Sequence, residues 1–447
     1  MDMYSPAPVL AGRSRSRILA ILCLSVLLAQ IDTSVVNLAV HDIGVDLHAS
    51  LRALQWVIDG YNLSYAVLLM SGGTLADLIG RRRVLLAGAL AFTAGSAVCA
   101  LAPGAAALIA GRVLTGLGAA LMLPASLALI RVIWTDAQER AHVIGVWAGI
   151  NGAAFAIGPS LGGGLIQAAG WRCIFLLTLP VGLAVVALGP RTIPESSDPQ
   201  GRRIDLAGQA LAALALGGAV LGMIEREVVP GLVAVCTFGA FAAIERRLGA
   251  AAMVPMELLA NGKLACALGV AAAMTFGMYG LIFLLPLTWL RGGVFDVAHC
   301  GLALLPMSLV FAGLSHRSGR WSARFGAART MAAGMALIGC GLATMAATHG
   351  GRPLWLAESG LLLTGIGMAC NTGPVLAAAV AAVSAARAGT ASALVNTARM
   401  VGASLGVAVA GAVYGLAADA ATGLRLAMAC GAAAVFAGSA LAAAAPR

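Results

Sequence analysis

Asp32 and Asp59 are lone carboxyls in apolar surroundings. Asp32 sits in residues 19–40, LAILCLSVLLAQIDTSVVNLAV, and Asp59 in residues 54–73, LQWVIDGYNLSYAVLLMSGG. Each run is long enough to cross a bilayer as a helix. An ionised carboxylate at that depth costs about 2.5–3.5 kcal/mol on insertion scales, so such a group faces water, finds a partner or takes up a proton. Asp32 reads as the main proton carrier. Asp59 lies nearer the end of its span and reads as a second acidic site or a vestibule charge that attracts cations. A buried acid satisfied by hydrogen bonds or an ion pair is the plainer alternative for both. Arg112, a permanent charge inside another apolar run, can link the protonation of Asp32 to conformation, or can tie two helices together by a salt bridge. Arg399 raises the same question, with no carboxylate evident as its partner.

Trp56, Tyr61, Trp147, Phe155, Met274, Phe276, Tyr279, Phe283 and Trp289 are candidate cargo contacts, because aromatic faces attract organic cations. Packing is the commoner duty of any one of them. Trp171 and Trp289, near span ends, read as belt residues at a membrane interface. Glu225, Glu227, Glu245 and Glu257 also fall at span ends and read as solvated. There is no Gly-rich phosphate loop, no Ser-His-Asp constellation and no His/Cys ligand spacing, so no enzyme, cofactor or metal site is expected. The 9 cysteines are scattered and read as small packing residues.

The elements that must position these residues are membrane helices. The chain of 447 residues is 60% hydrophobic and 10% charged, against about 25% charged in soluble domains. Its mean hydropathy is +0.94. Fourteen apolar cores are predicted, at 18–40, 53–75, 84–101, 106–130, 143–168, 173–188, 206–224, 228–244, 264–290, 301–314, 330–347, 354–380, 391–415 and 424–443, the tenth able to reach back toward residue 297. A twelve-helix count omitting 206–244 would keep the same parity, but the apolar runs there argue against it. The net charge of +10 does not point to nucleic acid, because the basic residues sit in short loops. With both termini cytoplasmic, only Arg52, Arg172, Arg226, Arg291, Arg352 and Arg425 fall in outer loops. Arg112 and Arg399 lie within spans, and the remaining Lys and Arg are on the cytoplasmic side. The Arg-rich start (Arg13, Arg15, Arg17) reads as a cytoplasmic tail before an uncleaved first helix.

An internal repeat divides the chain. Gly73, Gly80 and Arg83 recur at the same spacing as Gly319, Gly326 and Arg329, with Ala323 where the first copy has Asp77. Such repeats are common in secondary transporters, with the binding site between halves near the midplane. The expected organisation is a tail at 1–17, a six-helix bundle at 18–190, a linker with two additional helices at 191–263 and a second six-helix bundle at 264–447. No loop is long enough for a soluble sensor domain.

Residues 72–88, GGTLADLIGRRRVLLAG, resemble the loop 2–3 motif of the major facilitator superfamily: Gly73, Leu75, Asp77, Gly80, Arg81 and Arg82 match, and Leu78 replaces the usual basic residue. Residues 29–40 resemble the span-1 motif of its fourteen-helix drug:proton antiporters in Asp32, Val36 and Asn37, with His41 in the usual proline place. Residues 109–126 resemble the span-4 motif (Arg112, Gly116), and residues 145–165 the span-5 antiporter motif (Gly158, Pro159, Gly162, Gly163). Trp56, Val57, Asp59 and Tyr61 are similar to the span-2 pattern of multidrug and quaternary-ammonium exporters. The resemblance implies an all-α membrane protein with the major facilitator fold, two pseudo-symmetric six-helix bundles plus two extra central helices. It further implies proton-coupled efflux of lipophilic, cationic small molecules across the cytoplasmic (inner) membrane by a lipid-embedded monomer. Gly73, Asp77, Gly80 and Arg81 would form a gating latch, and the span-5 segment would seal the pathway. Gly145, Gly149 and Gly152 run at small-residue spacing that lets helices approach closely. The tenth core lacks the further acid that some relatives carry, which favours a monovalent or neutral cargo. An exporter or importer of one metabolite on the same fold is the alternative.

Overall fold

A continuous apolar run satisfies its own backbone in lipid by forming a helix, whose hydrogen bonds all lie within the segment. The computed structural model describes residues 12–198, 204–249, 252–384 and 387–444, all helical or irregular, with no strand among them. The helices are α1 (Gly12–Asp46), α2 (Leu51–Ile79), α3 (Arg81–Ala100), α4 (Ala105–Ile133), α5 (Ala137–Ala169), α6 (Cys173–Thr192), α7 (Leu206–Glu225), α8 (Val228–Leu248) and α9 (Met256–Leu259). They continue as α10 (Gly262–Arg291), α11 (Val297–Ala303), α12 (Leu305–Ser315), α13 (Ser318–Phe325), α14 (Ala327–Ala346), α15 (Leu354–Ala381), α16 (Ala388–Tyr414) and α17 (Ala420–Ala443). Among the described residues, 14 spans are long and apolar enough to cross a membrane, α11 and α12 together making one, Val297–Ser315. That span begins at Val297, as the sequence allowed, and breaks beside Pro306. The expected tail is described only from residue 12, where α1 has already begun. Arg202, Arg203 and Arg447 lie outside the described residues.

Side-chain caps fix several helix starts. Ser50 accepts from Ala53 N–H at 3.2 Å, and Asp136, Asp205 and Asn261 cap α5, α7 and α10. In the loops, Asp296 and Asp419 cap α11 and α17, and the amides of His299 and Thr422 that they accept from hold both carboxyls below the usual range.

α1–α6 form one bundle and α10–α17 another. The two meet through α1, α2 and α5 against α10, α11, α12 and α16. Among the described residues, the hydrogen bonds joining the bundles lie toward the end away from the chain termini. Gln55 donates to the carbonyls of Val407 and Ala408 at 3.3 and 3.0 Å, and Ser160 donates to Gly301 O at 3.2 Å. At the termini end, Arg131 reaches toward Gly389 without such a bond. The helix pair α7–α8 lies outside both bundles, with α7 along α2 and α16.

Candidate functional site

The charged centre is assembled by three helices of the first bundle. α1 supplies Asp32, α4 supplies Arg112 and α2 supplies a carbonyl and a ring. Arg112 Nη1 lies 2.5 Å from Asp32 Oδ2, and its Nε donates to Val57 O at 3.0 Å. Its guanidinium stands 4.5 Å from the centre of the Tyr61 ring. Asp32 and Arg112 are 3% and 1% exposed, so the pair is closed to solvent. Glycine permits this assembly: a Cβ on Gly116 would strike the backbone carbonyl of Tyr61, so only glycine lets α4 come so near α2. The sequence placed Asp32 and Arg112 on separate spans, and here they are direct partners.

Asp59 is fully buried on the same helix as Val57, with the Asn62 side chain as its one polar neighbour and no close hydrogen bond to either carboxyl oxygen. The Asn62 Nδ2 makes no close hydrogen bond either, so the two side chains meet only loosely. A buried polar group left unpaired is expensive, and native structures keep few of them.

At the seam between the bundles lies a small cavity of about 10 Å³, lined by Ser34, Asn37, Leu38, Phe155, Ile282 and Met307, among others. It is closed on the far side by backbone contact. A Cβ on Gly301 would run into Pro159 O, and one on Gly163 into Val297 O. Phe155 meets Phe311 edge-on at 6.0 Å across the same interface.

The expected contact residues scatter. Phe155 lines the cavity, and Tyr279, buried on α10, lies in electrostatic reach of Arg399 and of Tyr65. Trp56 instead turns to α7, its indole donating to Glu225 Oε1 at 3.1 Å. Tyr61 is spent on Arg112, Trp147 packs within the first bundle, and Phe283 is wholly buried in the core. The belt reading of Trp171 and Trp289 is also corrected. Both are buried, Trp171 bonded to Asp46 at 3.0 Å and Trp289 packed against Phe295.

The span-5 glycines divide. Gly158 and Gly162 lie hard against Ser34 and Val35 of α1, whereas a Cβ on Gly145, Gly149 or Gly152 would meet nothing within 4 Å. The close approach expected at those three is absent, because that stretch of α5 faces open space. In the loop after α2, Arg81 Nη2 lies 2.7 Å from Asp77 Oδ1, and Gly80 takes a φ of +116° at the helix break. Glu195 accepts from Arg82 N–H at 3.0 Å, and Asp77 O accepts from Asp198 N–H at 2.8 Å. These contacts bind the α2–α3 turn to the segment after α6.

Sequence reasoning missed Ser34, Leu38, Met307 and Tyr65. Tyr65 was findable, one helical turn after Tyr61 with its ring 5.9 Å away. It also misread Glu245. That side chain is buried and accepts from Val254 N–H at 2.8 Å, because the chain after α8 folds back over it.

Residues 22–407 match the family model described as Major Facilitator Superfamily. The chain is 36% identical over 394 residues to the multidrug resistance protein Stp of Mycobacterium tuberculosis (strain CDC 1551 / Oshkosh), covering 86% of this chain and 73% of Stp. It is 30% identical over 418 residues to the tetracenomycin C resistance and export protein of Streptomyces glaucescens, covering 91% and 77%. A bacterial homologue of the human lysosomal transporter Spinster, solved inward-facing and unoccupied, superposes with a TM-score of 0.70 over 97% of both chains at 19% identity, a likeness of fold.

Proposed function

The chain belongs to the major facilitator superfamily, and from that premise we propose that it exports lipophilic small molecules in exchange for protons. The observation that carries this reading is the buried Asp32–Arg112 pair in the first bundle, with Asp32 two residues before Ser34 at the seam between the bundles. Multidrug resistance and antibiotic export in the names of its relatives support the direction of transport. By the placement of basic residues, the protein lies in the cytoplasmic (inner) membrane with both termini cytoplasmic. The cavity then faces the cytoplasm, and the far-side contacts are its outer seal. Residues 18–190 and 264–447 are the moving halves, and 191–263 is the linker that carries α7 and α8.

A coupling route follows from the contacts. A proton arriving at Asp32 removes the charge that holds Arg112. Arg112 also grips α2, through Val57 O and the Tyr61 ring. The same helix carries Gln55, which bonds α16 in the seal. Protonation of Asp32 thus loosens α2 where it closes the outer side, and Asp59 offers a second proton site on that helix. The argument for a cationic cargo needs an acid open to the cavity. Asp32 is engaged by Arg112 and Asp59 is fully buried away from the cavity lining, so neither supplies one in this state.

The test is ethidium movement in inside-out vesicles under an imposed pH gradient, for wild type, Asp32→Asn and Asp59→Asn. Gradient-driven uptake that vanishes in Asp32→Asn is the expected result. Undiminished exchange in both variants would sink the proton assignment. A wild type that ignores ethidium but moves a neutral or anionic compound would end the cationic-cargo reading and favour a dedicated metabolite exporter.

A further inference from the structure

Arg399 has no carboxylate partner. Among the described residues it joins no ion pair. Its Nη2 donates to Thr372 O at 2.9 Å, and its buried Nε has no acceptor. A guanidinium at membrane depth with one carbonyl bond has donor capacity to spare, since it carries five N–H groups in a planar fork.

Its surroundings come from both bundles. Tyr65 of α2 and Tyr279 of α10 are its electrostatic neighbours. The placement follows from the helices. α2 and α16 run antiparallel and are pinned where Gln55 meets Val407 and Ala408. Moving toward the termini by about 15 Å on α2 reaches Tyr65, and by about 12 Å on α16 reaches Arg399, at 1.5 Å per residue. Tyr65 is the middle residue of α2, and Tyr279 and Arg399 lie close to the middles of α10 and α16. The three therefore share the midplane, where transporter sites between repeats are found. Ile282, one turn from Tyr279 on α10, lines the inter-bundle cavity with Phe155 and Met307. The cluster lies next to that cavity, on the side away from the seal.

The charges decide what fits. Asp32 and Arg112 cancel each other inside the first bundle. Arg399 is left as a fixed positive charge without a counter-charge, half-buried on α16, with one phenol from each bundle in electrostatic reach. A lipophilic cation placed there meets a like charge, whereas an acid meets a fork of donors matched to its two oxygens.

We propose that Arg399, Tyr65 and Tyr279 form a subsite for an acidic group, carboxylate or ionised phenol, on an otherwise apolar aromatic cargo. Arg399 is the counter-charge. The tyrosines add hydroxyl donors and ring faces, and the wall of Phe155, Phe311 and Met307 takes the apolar body. Because Tyr65 belongs to one bundle and Arg399 to the other, an acid bound between them draws the halves together at mid-depth. This inference rests on the reading of the cavity as a cargo path.

The experiment is equilibrium binding to the purified full-length protein of two dyes sharing a xanthene ring system, fluorescein (anion) and a rhodamine ester (cation). Wild type should prefer fluorescein. Arg399→Gln should cut the fluorescein-to-rhodamine affinity ratio about tenfold or more, Arg399→Lys should retain part of it, and Tyr65→Phe and Tyr279→Phe should each lower it less. A ratio unchanged in Arg399→Gln, a wild-type preference for the rhodamine ester, or binding of neither dye would overturn the proposal. Should Arg399→Gln unfold, wild type decides alone: a naphthoate must displace fluorescein and its methyl ester must not. Failure of the exchange reading looks different, as an intact binding preference with no movement of either dye under a pH gradient in proteoliposomes.

Discussion

A buried ion pair is judged by what happens when one partner leaves. Asp32→Asn strands the Arg112 guanidinium with Val57 O and the Tyr61 ring, and should cost about 3–5 kcal/mol of stability. Asp32→Asn combined with Arg112→Leu should recover much of that loss while transport stays absent. Thermal unfolding of the two variants in the same detergent separates the structural part of the pair from its coupling role. A double variant no more stable than the single one would refute the pairing. These two residues were legible in the sequence because a charge inside an apolar run has few explanations. Their partnership was an option there, not a reading, since nothing in sequence spacing brings α1 to α4. Trp56 was misassigned for the same reason. The acid that claims its indole, Glu225, is 169 positions away.

At the scale of elements, glycine content was visible but its use was not. Periodicity alone cannot tell which face of α5 meets α1 and which faces open space. Gly301→Ala should push a methyl into Pro159 O and keep the α5–α11 seam from closing, whereas Gly145→Ala meets nothing and should leave the seam intact. Reactivity of a cysteine at position 304, in an otherwise cysteine-free protein, toward an impermeant thiol reagent applied from the far side reads the difference. It should rise for the first variant only. Helix caps make a second prediction. Asp296 and Asp419 have carboxyls depressed from 3.8 by the amides they accept. A depressed folded value means their stabilisation is fully present above about pH 4 and is lost as pH falls through the folded value. Asn caps without ionising. Asp296→Asn with Asp419→Asn should therefore flatten the acid limb of an unfolding-temperature profile taken from neutral pH to about pH 3. An unchanged limb would assign acid sensitivity to other groups.

Across the whole molecule, the fourteen spans and the repeat were readable from composition and from two glycine pairs. Gly80 and Gly326 both take positive φ where one helix ends and the next begins, so the spacing match marked a true structural equivalence. The short helix α13 and the return of the chain over Glu245 were not readable, because both depend on how loops pack after the helices are in place. If the termini are cytoplasmic, a cysteine in the loop at Gly350 should label from outside intact cells and one near Gly389 should not. The reverse pattern would invert the direction assigned to transport.

The helix α7 runs the length of α2. Gln209 donates to Val67 O at 2.6 Å near one end, Glu225 holds Trp56 and Arg52 near the other, and Val220 and Ile224 pack with Ala408 of α16. One flank of the seam between the bundles is thus covered by α7 along its length. On the opposite flank α5 faces α12 with Phe155 and Phe311 at the seam, and no other helix covers it among the described residues. On the export reading proposed above, α7 would hold one side of the seam together, and a lipophilic cargo dissolved among the acyl chains of one leaflet would enter sideways past those two rings, without first passing through water.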